Sequence, residues 1–152
     1  MGNTILSDDA SGILAAKSLY ETVIKLEKKD VDFVELSCGG WRLIDFFHGY
    51  DKIVIIDAIE DYESESGTLV KIDDISESLT LRLKSSHGIG FFETLKLAKM
   101  LGVLTAVEIS IYAISARNVR EFGESVDKRI SDNIPSITRR LLQDEFGLLM
   151  TS

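Results

Sequence analysis

Lys52-Ile53-Val54-Ile55-Ile56-Asp57 is the stretch that decides the fold. Its four successive β-branched apolar residues show no polar alternation, the mark of a strand covered on both faces by other elements. It reads as a central strand with Asp57 at its carboxyl end. On its N-terminal side, Ile13, Leu14, Ala16, Leu19, Val23 and Leu26 recur at helical spacing between Asp9 and about Lys28, with Lys17, Glu21, Lys25 and Glu27 on the other faces. Val31 to Leu36 reads as a short strand entering a Cys38-Gly39-Gly40 turn, and Trp41 to Phe47 as a brief helix closed by Gly49 and Tyr50. On the C-terminal side, Gly67 to Ile72 reads as a strand, and a polar segment leads to the loop Ser85-Ser86-His87-Gly88. Phe91 to Leu101 follows as a helix stopped by Gly102, and Ala106 to Ile114 as a β-rich run. Ser131, Asp132 and Asn133 offer capping groups to a last helix with Pro135 in its first turn. Strands alternating with helices predict an α/β fold, a three-layer open and mostly parallel sheet with helices on both faces and its sites beyond the carboxyl ends of the strands.

The totals agree with one domain spanning residues 1–152. A chain of this length buries about two-thirds of the surface it exposes when unfolded, and a 45% hydrophobic, 28% charged composition is that of a globular protein. The formal charge of −8, with no long basic stretch, argues against nucleic acid as a partner. The single cysteine, Cys38, cannot form an internal disulfide, and no leader-like segment is seen, so the cytoplasm is the expected compartment. Apolar runs such as Ile53 to Ile56 fall far short of the roughly 20 residues that cross a bilayer. No membrane span is expected.

Three polar points lie where such a fold keeps its chemistry: the Asp8-Asp9 pair opening the first helix, Asp57 ending the strongest strand, and His87 in a loop before a helix. Taken singly, each has a plain structural explanation. Carboxylates at a helix start serve as caps favoured by the helix dipole, an aspartate after a strand forms turns, and a histidine in a Ser/Gly-rich loop is usually a solvated loop residue.

Together these points resemble the hydrogenase maturation endopeptidases. Gly2-Asn3-Thr4-Ile5-Leu6-Ser7-Asp8-Asp9-Ala10-Ser11-Gly12 is similar to the family's opening Gly-Asn, apolar, Asp-Asp/Glu, Gly motif. Ile56-Asp57-Ala58 is similar to its second motif, and Ser85-Ser86-His87 followed by Leu95 and Leu97 to its third. The resemblance covers nearly the whole chain. It implies a phosphorylase/peptidyl-hydrolase-like fold and a peptide-bond hydrolase that recognises nickel in the precursor of a NiFe-hydrogenase large subunit and removes its C-terminal extension. It further implies that Asp9, Asp57 and His87 form the metal-binding and catalytic site. The nickel would arrive with the substrate, and Zn or Cd could replace it in crystals.

The chemistry is reasonable apart from the family. Two carboxylates and one imidazole suit Ni²⁺, Zn²⁺ or Fe²⁺ better than Ca²⁺ and leave coordination positions open for a substrate to share. Whether the metal polarises the scissile carbonyl or a carboxylate activates water stays open at this stage. Two departures from the family pattern stand out. The family begins with an apolar strand running into Gly-x-Gly-Asn, whereas this sequence reads Met1-Gly2-Asn3. Either apolar β-formers ending in glycine precede it, the favoured expectation, or a neighbouring segment or second subunit covers the sheet edge. Cys38 stands in a turn where relatives often carry aspartate, so substrate preference can differ; its plain reading is a small buried turn residue.

Three other readings compete. A receiver domain also pairs acidic residues with a strand-end aspartate, but it needs its pair after an apolar strand and a lysine where this chain has Ile114-Ser115-Ala116. A nucleotide- or flavin-binding module needs a glycine-rich phosphate loop between strand and helix, and His87-Gly88-Ile89-Gly90 is too short. A non-proteolytic metal-binding accessory protein could use the same three ligands, and only activity separates it.

Overall fold

The structure is a computed structural model, and it describes residues 7–28, 30–36, 40–61, 63–72, 84–85, 90–103, 108–119 and 126–148. A 3-10 turn, Ser7–Ala10, leads into α1 (Ser11–Lys25). A 3-10 helix (Gly40–Phe47) precedes β1 (Lys52–Glu60) and β2 (Leu69–Ile72). The short β3 (Lys84–Ser85), α2 (Gly90–Met100), β4 (Glu108–Ala116) and α3 (Lys128–Phe146) complete the described elements.

The sheet has the order β2-β4-β1-β3. β1 and β4 run parallel in unbroken register from Lys52↔Glu108 to Glu60↔Ala116, while β2 and β3 pair antiparallel at the edges. The α/β class and the central place of Lys52–Ile56 are as the sequence predicts. Among the described residues, parallel pairing is confined to the central pair.

Alternation along the two long strands divides the core. Ile56 and Ala58 of β1, with Tyr112, Ile114 and Ala116 of β4, face a layer built by Ala15, Leu19 and Val23 of α1 and Ile130, Ile137, Leu141 and Leu142 of α3. Ile55, Ile59, Ile111 and Ala113 face the other way, onto Ile44 and Phe47 of the 3-10 helix and Leu95 and Ala98 of α2. Because both faces are covered, the run Ile53 to Ile56 shows no polar alternation.

Four expectations need correction. β1 does not end on Asp57 but runs on to Glu60, because the pairing with β4 continues through Ala58, Ile59 and Glu60. The first helix begins at Ser11 and not at Asp9, its N-cap, Ala10, makes no side-chain capping bond, and the Asp8 carboxylate bonds to Asn118 and Asp127 instead. Val31 to Leu36 forms no strand with the described residues. With Leu19 and Val23 of α1 and Ile53 and Val54 of β1, Val31 and Phe33 line a cavity of about 310 Å³. Lastly, α3 starts earlier than Ser131. Asp127 caps it by accepting the Arg129 N–H at 2.8 Å, which leaves Pro135 inside the helix. The proline ring removes one helical hydrogen bond. The helix persists because Ile130, Ile137, Leu141 and Leu142 bury its apolar face.

Two glycines fix the ends of α3. Gly147 closes it in the left-handed conformation at φ +63°, its N–H donating to the Gln143 carbonyl. Gly67, at φ +89°, lets the loop before β2 approach the start of α3 so closely that a Cβ would lie 3.3 Å from the Arg129 carbonyl oxygen. Asn133 holds the same loop by donating to the Gly67 carbonyl at 2.8 Å. Among the described residues, no helix is long and apolar enough to cross a membrane.

Candidate active site

The 3-10 turn Ser7–Ala10 packs against β1, so the element carrying Asp9 meets the strand carrying Asp57. Asp9 is fully buried and Asp57 is 5% exposed. Asp57 shares its strand phase with Ile55 and Ile59, on the α2 side of the sheet, and its Oδ1 accepts the Ala58 N–H at 3.0 Å. Carboxylates so deep in an apolar core are costly unless hydrogen bonds or a cation compensate them. Two of the three predicted site residues therefore stand on elements in contact, near the carboxyl end of the central strands.

His87, predicted as the third ligand, lies outside the described residues, as does Cys38. Among the described residues, no three His, Cys, Asp or Glu side chains gather closely enough to hold a metal. A divalent cation shared by Asp9 and Asp57 would suit their hard oxygen donors, with borderline nitrogen or sulfur donors completing the shell.

Asp8 has a structural role that sequence reasoning missed. Buried to 1% exposure, its Oδ2 accepts the Asn118 N–H at 3.1 Å and its Oδ1 the Asp127 N–H at 2.8 Å. Its own N–H donates to the Asn118 carbonyl at 3.3 Å. One carboxylate thus ties the turn to the chain leaving β4 and to the cap of α3. No sequence signal marks these partners, which lie 110 and 119 positions away.

Asp61 was also missed. Just past β1, its Oδ1 accepts the Glu63 and Ser64 N–H groups, and its Oδ2 accepts the Ser115 hydroxyl at 3.1 Å. Its carboxyl is held below the usual carboxylate range, chiefly by the Ser64 hydroxyl, with the Glu63, Ser64 and Ser115 donors outweighing the opposite effect of burial. It shapes the loop between β1 and β2. The strongest ion cluster, around Glu145, sits at the other end of the sheet, where Lys52 and Glu108 open β1 and β4.

The sequence profile of a family described as HycI, hydrogenase maturation protease, matches residues 14–144. The hydrogenase expression/formation protein HupD of Thiocapsa roseopersicina is 27% identical over 153 residues, covering 98% of this chain and 67% of HupD. Among solved structures, the NiFe hydrogenase maturation protease HybD from Thermococcus kodakarensis aligns with a TM-score of 0.72 at 26% identity, covering 93% of each chain. The hydrogenase maturating endopeptidase HybD from E. coli shares the fold, with a TM-score of 0.74 at 18% identity over 97% of this chain and 91% of its own.

Proposed function

This chain belongs to the hydrogenase maturation proteases, an endopeptidase family, and we propose that it recognises nickel in the precursor of a NiFe-hydrogenase large subunit and removes the C-terminal extension. Asp9, Asp57 and His87 are the residues we assign to the metal, each with a part in the hydrolysis. The observation that carries this reading is the burial of Asp9 and Asp57 on two elements in contact at the carboxyl end of the sheet.

Three protein ligands leave a metal underfilled, so the site is suited to a nickel that arrives with the substrate and shares its coordination. Binding then fixes the extension against the protease in a near-attack position, and removing the metal removes the positioning. Neither a nucleophile-elbow serine nor a histidine near Cys38 in sequence offers another route to general proteolysis. The cytoplasm is the compartment that goes with this reading.

The test is a mobility-shift assay on large-subunit precursor with and without inserted nickel. Wild-type chain should cleave only the nickel-loaded form, and Asp57→Asn should cleave neither. Equal cleavage of both precursors by the wild type would overturn metal recognition. Cleavage of neither would favour the accessory-protein reading, in which the same residues bind metal without hydrolysis.

A further inference from the structure

Asp8 and Asp9 are adjacent and almost equally buried, yet the carboxylate of Asp8 is committed to backbone far away in the chain. The segment that presents Asp9 is only four residues long. A 3-10 turn of that length has few internal hydrogen bonds and poor bond geometry, so it does not hold its own shape. Ala10 supplies no capping side chain either. Metal ligands, in contrast, must be held within roughly 0.5 Å of their working positions. The turn therefore needs an outside anchor.

We propose that Asp8 is a positioning residue, clamping the Ser7–Ala10 turn so that Asp9 is held at the metal. This rests on the reading of Asp9 as a ligand. The clamp has three hydrogen bonds: Asn118 and Asp127 N–H into the two oxygens of Asp8, and Asp8 N–H into the Asn118 carbonyl. Two of these run to a carboxylate, and charge-assisted bonds are about twice as strong as neutral ones. The anchors are themselves fixed. Asn118 lies two residues past the end of β4, the partner of β1, so the clamp refers the turn to the strand pair that carries Asp57. Asp127 is bound to α3 through the Arg129 N–H and guanidinium. Asp8 thus ties Asp9 to the frame of Asp57.

The variant is Asp8→Asn, which keeps the size but turns an N–H₂ donor toward a backbone N–H. Ile137→Val, in the core of α3, serves as a control for general loss of stability. Two quantities are read at a temperature where circular dichroism shows each variant folded: affinity for Co²⁺ from its visible absorption, and the ¹³C resonance of the Asp9 side-chain carboxyl. We expect Asp8→Asn to lose about 10- to 100-fold in Co²⁺ affinity, the usual effect of removing a group that orients a ligand, and to broaden the Asp9 resonance. Ile137→Val should change neither. An Asp8→Asn protein that matches wild type in both readouts overturns the proposal. Should the wild type take up no Co²⁺ in the absence of substrate, the resonance alone decides the clamp, broadening supporting it and an unchanged line refuting it, while the ligand reading of Asp9 is decided by the precursor assay. If Asp8→Asn does not fold, Asp8→Glu keeps both acceptors on a longer stem, and the same two readouts apply to the displaced turn.

Discussion

A buried carboxylate persists only in company, and Glu145 has the fullest company in this protein. Its side chain, 1% exposed, accepts the Tyr112 and Ser110 hydroxyls and meets the ammonium groups of Lys52 at 2.9 Å and Lys71 at 3.3 Å. The Lys71 ammonium also lies over the Tyr112 ring, 5.4 Å from its centre. Burial, the largest influence, pushes the Glu145 carboxyl upward, but the Tyr112, Lys52 and Ser110 donors together hold it below its ordinary value. The same contact and burial push the Tyr112 hydroxyl up. Glu145→Ala should cost about 2–3 kcal/mol, short of the full loss for a broken buried pair because Lys52 and Lys71 are each 37% exposed and can rehydrate. Since the folded carboxyl titrates below the unfolded one, its contribution is complete above about pH 5 and is lost as the pH falls through the folded value. Melting curves of wild type and Glu145→Gln between pH 7 and pH 3 should therefore converge at the acid end. A constant gap would refute the assignment. None of this was legible in the sequence, where Glu145 is one more charged position of an amphipathic helix and its partners Lys52, Lys71, Ser110 and Tyr112 stand on three separate strands. Asp57 stood out in the sequence because it ends the apolar run Ile53 to Ile56. The bonds of Asp8 to Asn118 and Asp127 were not legible, because they are long-range bonds to backbone.

Whole elements were readable wherever their own sequence provided the reason for them. Of the apolar positions predicted for the first helix, Ile13, Leu19 and Val23 are buried with Ala15 beside them, while Leu14 and Leu26 are exposed, and the unbroken apolar run of β1 lies between two packed layers. Where a neighbour decides, the reading failed. Val31 and Phe33 alternate as in a strand, but a strand exists only in a ladder, and these residues join none among the described residues. Pro135 misled in the opposite way. A proline is most comfortable in the first turn of a helix, which placed the start near Ser131, yet Asp127 captures the Arg129 N–H and the helix begins at Lys128. Pro135 is then an exposed interior residue that denies the helix one hydrogen bond. Pro135→Ala should raise stability by about 1–3 kcal/mol, less than or equal to the full helix-propensity difference because the backbone has already adjusted to the ring. Thermal melting reads this directly. An unchanged or lower melting temperature would mean that the proline stabilises the helix through some contact other than those described.

At the scale of the molecule, the central pair of strands belongs to both halves of the core at once. Ile114 of β4 packs among α1 and α3, while Ile111, three residues earlier on the same strand, packs with the 3-10 helix and α2. Neither layer can come away without exposing one apolar face of the same strand pair whose other face supports the remaining layer. Asp8 adds a tie across the end of the sheet, from the entrance of α1 to the cap of α3. The chain should therefore behave as one cooperative domain, with no stable intermediate that keeps one layer and loses the other. The test is a matched pair of variants, Ile114→Val and Ile111→Val, each removing one methylene from one layer. Each should cost about 0.5–1.5 kcal/mol, the usual range for an Ile→Val change in a packed core. Both should move the same single denaturation transition to lower denaturant with its slope unaltered, because the slope follows the surface exposed on unfolding and that surface is common to the two. Far-ultraviolet circular dichroism reports the helices of both layers, and tyrosine absorbance includes Tyr112, buried in the α1 and α3 layer. The two curves should coincide in wild type and in both variants. If Ile111→Val shifts the dichroism curve while the tyrosine curve stays in place, the layer on α2 unfolds on its own, and the single-domain description of residues 1–152 is wrong.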